Sequence, residues 1–329
     1  VVGHAGARAR AGAVASLRRL AAARVRPDLV VLGNLLVDDL VFPDGRTRMR
    51  QPGGASLYAS LGAALFGMPT GLSSWRGTDY PRAALDALEA RGVDLAGLRE
   101  MNRPALRTWL LYEGRRRQVI HHLDGPTHAE VSPEPEQIPA PWLDARAFHL
   151  APMPFDVQRR LLAALGQRAG AHLSLDPYAI VREDTLEDWR LMLAGVDVLF
   201  LSEDDLELPG AATDPRAALR RLAGGQPHGS RLRLALLKRG AQGGVLYEVR
   251  EDRFTEWDPR AERVVDPTGA GDAFAGGFLA GWLRGEGVER ALARGVVGAS
   301  FAIEDWGATR ILATTVEEAA GRLGAWFGA

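Results

Sequence analysis

Asp266-Pro267-Thr268-Gly269-Ala270-Gly271-Asp272-Ala273-Phe274, continued by Ala275-Gly276-Gly277-Phe278-Leu279-Ala280-Gly281, is a tight turn that runs into a buried helix. Two glycines flank Ala270, so the backbone can turn sharply and approach a ligand with no Cβ in the way. The residues after Gly271 are small and apolar, as an internal helix requires. The turn therefore ends at a helix N-terminus, where unpaired N–H groups and the positive end of the macrodipole favour an anion. Asp272 falls in the first turn. A carboxylate beside an anion hole can take a proton from a hydroxyl while the hole holds a phosphoryl group. The plainer reading is a first-turn carboxylate that complements the dipole, worth about 0.3–1 kcal/mol, and for an isolated glycine turn it is the better one.

The length of the match changes that balance. The whole string resembles the C-terminal signature of the pfkB (ribokinase-like) carbohydrate kinases, Asp-Thr-x-Gly-Ala-Gly-Asp-x-Phe or a near variant. The resemblance implies an α/β fold of three layers, with a mostly parallel central sheet, helices on both faces and a small β lid. It implies Asp272 as catalytic base, the amides of Gly269, Ala270 and Gly271 as the anion hole, and Thr268 among the nucleotide contacts. ATP and Mg²⁺ come with the family, as does a monovalent cation such as K⁺ near Asp266.

Composition agrees with such a protein. The chain has 329 residues, 47% of them hydrophobic and 25% charged, enough for a sizeable core. A formal net charge of −1 gives no basic field for nucleic acid. Cysteine is absent, which excludes disulfides and thiolate chemistry and suits a reducing, cytoplasmic setting. No apolar run is long enough to span a bilayer.

Residues 1–27 are Ala- and Arg-rich, with no acid before Asp28. Arg-rich, acid-poor segments occur in transit peptides, but serine is scarce here, and a nonessential extension or misread start is the expectation. The kinase domain is expected over 28–329. It opens with the apolar run Asp28–Val37, read as one buried strand ending at Asp38-Asp39. Carboxylates beyond the C-terminal end of a parallel strand stand where open α/β sheets bind ligands, though a solvated strand end reads equally well. The resemblance assigns Asp38 to substrate hydroxyls, with Asp39 as the neighbouring alternative.

Gln51-Pro52-Gly53-Gly54 opens a small-residue helix that stops near Gly67. It is similar to the family's N-terminal motif, in which Gly53 and Gly54 would let substrate approach the backbone. Tyr58 stands where many members carry Asn, a departure that weakens ribose itself as the acceptor. Thr70–Trp75 reads as a strand and Pro81–Arg91 as a helix, and Gly92-Val93-Asp94 resembles the connector to the lid. Leu106–Tyr112 and Gln118–His122 flank Glu-Gly-Arg-Arg-Arg as a hairpin. The lid is expected from about 40–52 and 104–123. Arg107, Trp109, His121 and His122 are its polar and aromatic candidates, and adjacent histidines on a strand make a poor metal site.

From residue 147 strands and helices alternate, as a parallel sheet requires. Ser202-Glu203-Asp204-Asp205 follows one strand. It reads either as a solvated helix start or as an acidic site for Mg²⁺ held through water. The family pattern there is Asn-x-x-Glu. Ser202 and Asp205 match it in shortened form, so the resemblance carries nucleotide and water-mediated metal contacts to them. Lys238-Arg239-Gly240-Ala241-Gln242-Gly243 supplies a Gly-x-x-Gly turn, with Gly240 and Gly243 expected along the nucleotide and Lys238 or Arg239 near phosphate. Asp305-Trp306-Gly307-Ala308 is expected near the base.

These readings converge on an ATP-dependent kinase for a hydroxyl of a sugar or polyol. A nucleoside or vitamin-alcohol kinase of the same fold is the alternative, Tyr58 and Trp109 being rings able to stack on a base. A non-catalytic sugar- or nucleotide-binding relative is the second alternative. A homodimer joined through the lid edges is a further expectation.

Overall fold

A computed structural model describes residues 26–113, 116–168 and 170–328. Thus nearly all of the 1–27 extension lies outside the described residues. Nine strands among the described residues form the central sheet: β1 (Leu29–Leu32), β4 (Thr70–Arg76), β5 (Asp94–Glu100), β8 (Ala147–Leu150), β9 (His172–Leu175), β11 (Val198–Ser202), β13 (Leu234–Lys238), β14 (Gly244–Glu248) and β15 (Arg253–Trp257). Across the sheet their order is β15-β14-β13-β11-β9-β8-β1-β4-β5. All neighbours pair in parallel except β13–β14 and β14–β15. A second sheet, β3-β2-β6-β7, comprises β2 (Leu36–Val41), β3 (Thr47–Gly53), β6 (Arg107–Glu113) and β7 (Arg116–His121). A short ribbon pairs β10 (Val181–Arg182) with β12 (Leu206–Glu207).

Helices cover both faces of the large sheet, and β1 shows why. Leu29 and Val31 enter one core and Val30 and Leu32 the other, because successive strand side chains alternate. A strand buried on both sides reads as a continuous apolar run. The first core is packed by α1 (Ala55–Ala64), α2 (Arg82–Ala90), α6 (Ala270–Trp282), α7 (Val288–Ile303), α8 (Thr309–Ala313) and α9 (Val316–Phe327). The second is packed by α3 (Phe155–Leu165), α4 (Leu186–Leu193) and α5 (Pro215–Ala223).

Two expectations change. The run 28–37 is not one strand: it breaks at Gly33-Asn34-Leu35, and the chain crosses into the lid. Side chains make the break possible, since Leu35 N donates to Ser74 Oγ (3.1 Å) and Ser56 Oγ donates to Asn34 O (2.8 Å). Asp38 and Asp39 therefore lie inside lid strand β2 and not beyond the end of a sheet strand. Likewise Gly92-Val93-Asp94 leads into the edge strand β5 before the chain reaches the lid. Asp94-Leu-Ala-Gly-Leu-Arg-Glu lacks both alternation and β-branched residues, so no local signal marks it.

Candidate active site

The signature turn sits where the sheet's strand ends meet α6. Gly269 caps the helix with φ 74°, in the left-handed region. A Cβ there would lie 2.2 Å from the ring of Tyr58, so glycine is required by conformation and by the close approach of α1. Ala270 and Gly271 begin the helix and Asp272 lies in its first turn. Beside them is a group that came from far along the chain. Lys238 Nζ lies 3.1 Å from the point a Cβ on Gly271 would occupy.

Lys238 ends β13 and pairs with Asp176, just past β9, at Nζ–Oδ2 2.5 Å. Both side chains are buried, 11% and 3% exposed. Burial works against the ammonium, but Asp176, Asp272 and Asp205 together raise its pKa, so it is charged at neutral pH. Burial pushes the Asp176 carboxyl up to about 6 against the opposing pull of Lys238. Asp205 follows β11, the strand between β9 and β13. Its carboxyl is also pushed to about 6, by burial first and by Asp176 second. Three adjacent strand ends and one helix start thus bring together three carboxylates and one ammonium.

Asp205 Oδ2 accepts a hydrogen bond from Ser202 N at 2.7 Å, closing the short turn Glu203–Asp205. Among the described residues no cluster of three or more His, Asp or Glu side chains offers a complete metal cage. Buried Asp176 and half-buried Asp205, beside a helix N-terminus, suit Mg²⁺, which keeps several waters and takes few protein ligands.

The two lid carboxylates separate cleanly. Asp38 lies against Gly53, where a Cβ would fall 1.8 Å from Oδ2. Asp39 faces the other way. It pairs with Arg107 Nη2 at 2.5 Å, lies 3.5 Å from His122 Nε2, and accepts from Arg50 N at 2.8 Å. Trp109 is directly across from Asp39 and its ring stacks on His122 at 5.2 Å. Strand alternation thus puts Trp109 on the face opposite Asp38.

Tyr58 is 1% exposed, and its hydroxyl has no hydrogen-bond partner among the described residues. Burial raises its pKa well above the ordinary value, and the charges of Asp38 and Asp266 raise it further. The phenol therefore stands, protonated, between the lid carboxylate and the signature.

Tyr112, on the Asp38 face of β6, ties the lid to the signature. Its hydroxyl donates to Asp266 Oδ1 at 2.9 Å and meets Thr268 Oγ1. Thr268 Oγ1 also donates to Asp266 Oδ1 (2.6 Å), so its hydroxyl is engaged within the turn. Gly307 N donates to Asp266 Oδ2 (2.8 Å), and Trp306 packs under lid residue Phe42. The 305–308 loop thus lies beneath the lid. A separate pocket of about 460 Å³ opens among Trp257, Asp258, Arg260, Leu292, Val296 and Phe327. Trp257 joins it to the site: its carbonyl lies against Gly243 and its ring stacks on Phe274 of α6 at 5.0 Å.

Sequence reasoning brought Asp272, Gly269–Gly271, Asp38, Gly53, Tyr58, Asp205, Ser202 and Lys238 toward one region. It gave no role to Asp176 or Tyr112. The signal for Asp176 was available, a carboxylate immediately after a parallel strand.

The family model of pfkB family carbohydrate kinases matches residues 28–315. The chain belongs to that family. It is a phosphotransferase with an alcohol group as acceptor. Among curated relatives, the cytidine kinase of Thermococcus kodakarensis is 34% identical over 289 residues, 85% of this chain and 97% of that protein. The ATP-dependent ribose-1-phosphate kinase of Halopiger xanaduensis is 31% identical, over 84% of this chain and 88% of that one. The kinase also shares its fold with the ribokinase of Cryptococcus neoformans in complex with ADP, at TM-score 0.70 and 18% identity, covering 89% of this chain and 99% of the other. A nucleoside kinase of Burkholderia thailandensis in complex with inosine superposes at TM-score 0.69 and 18% identity, over 92% and 98%.

Proposed function

We propose that this protein transfers the γ-phosphoryl group of ATP to a hydroxyl of a sugar, free or as the sugar part of a nucleoside. The observation that carries the reading is the position of Asp272, in the first turn of a helix whose opening amides and neighbouring Lys238 favour an anion. Asp272 takes the proton of the attacking hydroxyl. The amides of Gly269, Ala270 and Gly271 stabilise charge that builds on the transferring group, and Lys238 adds a fixed cation beside them. Asp38 and the bare backbone at Gly53 and Gly54 hold the acceptor, with Tyr58 beneath it, its ring packed against Gly269. Ser202, Gly240 and Gly243 border the nucleotide, whose base takes the pocket at Trp257 and Val296. Thr268 acts through the turn it braces.

When bound, Mg²⁺ neutralises phosphate charge, and Asp205 with Asp176 would hold it through water. A monovalent cation such as K⁺ belongs near Asp266, and the lid edges offer a homodimer surface. The lid, held down by Tyr112, excludes water that otherwise competes with the acceptor.

The nucleoside form of the acceptor is favoured by the relationship to the cytidine kinase along nearly its whole length. The test is Mg²⁺-dependent ADP release over a panel of pentoses, hexoses, sugar acids, inositols and nucleosides, with Asp272→Asn in parallel. Turnover with one acceptor class, reduced about 10²–10⁴-fold in the variant, is the expected result for a lost general base. Turnover unchanged in Asp272→Asn refutes the base assignment. ATP binding with no turnover on any acceptor points to the binding-protein alternative.

A further inference from the structure

One row of side chains crosses the lid sheet on the face turned toward the main domain. Gln51, Asp38, Thr108 and His121 are direct cross-strand partners on β3, β2, β6 and β7. Tyr112 lies on the same face as Thr108, four residues on, and its contact with Asp266 shows which way that face looks. Neighbouring strands are about 4.8 Å apart, so Asp38 and His121 are separated by roughly 10 Å. A single sugar ring held at Asp38 does not span that row.

The far end of the row is aromatic and polar. His121 Nδ1 lies 3.1 Å from Thr108 Oγ1, and its Nε2 lies 3.5 Å from the hydroxyl of Tyr178. The ring of His128 stands edge-on to Tyr178 at 4.5 Å and 5.2 Å from His121. Tyr178 comes from the main domain, two residues after Asp176, so the cluster bridges lid and sheet. Asn34, at the end of β1, donates through Nδ2 to His128 O at 3.2 Å. Its own Oδ1 is buried with no partner, as is Nδ1 of His128. Asn34 is 1% exposed. Two buried polar atoms from adjacent residues thus lack the hydrogen bond that such atoms normally make.

We propose that His121, His128, Tyr178 and Asn34 form a subsite for the nucleobase of a nucleoside whose sugar is held at Asp38. The subsite rests on the kinase reading above and names the acceptor class for it. A planar heteroaromatic ring meets the three rings by stacking or by edge contact, as sequence-tolerant base binding does elsewhere. Its ring-edge donors and acceptors meet Asn34 Oδ1 and His128 Nδ1. The wall itself is uncharged at neutral pH. Burial lowers both histidines, His128 to about 4 with His121 contributing. Neutral imidazoles offer one donor and one acceptor each, which suits a base and gives no counter-charge to a phosphate or carboxylate on the acceptor.

The experiment is direct binding, by calorimetry, of cytidine, inosine and ribose to the full chain, compared among wild type, Tyr178→Ala, His128→Leu and Asp38→Asn. Tyr178 is 45% exposed, so its truncation leaves the fold intact even where His128→Leu does not. At least one nucleoside is expected to bind tenfold or more tightly than ribose. Tyr178→Ala should weaken that nucleoside about tenfold and leave ribose unchanged, whereas Asp38→Asn should weaken both. Ribose binding as tightly as either nucleoside overturns the subsite, as does a Tyr178→Ala loss that is absent or equal for both ligands. Turnover is scored separately with Asp272→Asn. Nucleoside binding of the expected kind without turnover removes the kinase reading and leaves the subsite standing.

Discussion

Replacing Lys238 by Met tests the charge arrangement at the strand ends. The side chain is buried and its ammonium is 2.5 Å from Asp176 Oδ2. Methionine keeps most of the chain's volume and removes the charge. Asp176 is then left as an unpaired buried carboxylate, with Asp205 and Asp272 close enough to perturb it or its partner. Breaking a buried pair from one side costs about 3–5 kcal/mol, because the remaining charge is neither hydrated nor compensated. Asp176→Asn should cost less, since Lys238 keeps Asp272 and Asp205 as counter-charges. In the double variant Asp176→Asn/Lys238→Met neither member is stranded, so most of the Lys238→Met loss should be recovered. Urea unfolding of the four proteins measures this as a coupling free energy, expected at about 2 kcal/mol or more between contacting groups. A Lys238→Met loss under about 1 kcal/mol, or strictly additive single losses, would refute the argument that these charges depend on each other.

Asp205→Asn probes the same cluster through pH. The carboxyl stands at about 6 against an ordinary 3.8, so the folded state binds its proton more tightly than the unfolded one. Its contribution to stability is fully present below about pH 4 and is lost as pH rises through about 6. The amide retains an oxygen for Ser202 N, so the variant should be more stable than wild type at pH 8 and show a shallower slope between pH 4 and 6. Parallel curves would count against burial as the cause. Arg107→Ala leaves Asp39, 0% exposed, without its main counter-charge, and should destabilise the protein by about 3–5 kcal/mol in chemical denaturation. An effect near zero would mean that His122 and the Arg50 amide suffice. Tyr112→Phe removes the lid's hydroxyl from Asp266 and Thr268, and a stability loss of about 1 kcal/mol is expected, with a larger effect on nucleotide affinity than on the fold. Unchanged nucleotide affinity would argue that the lid and signature act separately.

The signature was legible because its chemistry is local. Gly269, Gly271 and Asp272 are consecutive parts of one turn and one helix start, and spacing alone conveys their geometry. The layered fold was legible for a similar reason, since β11 and β13 are short apolar runs closed by polar residues and strands alternate with helices around them. The Lys238–Asp176 pair was not, because its members are 62 positions apart and meet only through the order of β9, β11 and β13. Asp38 and Asp39 are equivalent on paper, and only the register of β2 against β6 assigns one to the cleft and the other to Arg107. The same register puts Trp109 on the Asp39 face of the lid sheet, away from Asp38. The break at Gly33-Asn34 was hidden because apolar residues continue on both sides, and the side-chain hydrogen bonds that permit it come from Ser56 and Ser74.

The bond from Tyr112 to the Asp266–Thr268 turn has a thermodynamic corollary. In the proposed function the lid carries the acceptor carboxylate, Asp38 on β2, and the turn carries the anion hole at the start of α6, and the Tyr112 hydroxyl is bonded into both. Whatever stabilises the docked lid also stabilises the turn, and the converse holds. Under that reading acceptor and nucleotide are linked ligands, and linkage is symmetric: the factor by which one tightens the other must be the same in both directions. In Tyr112→Phe that common factor should shrink toward unity, even where each ligand alone binds nearly as before.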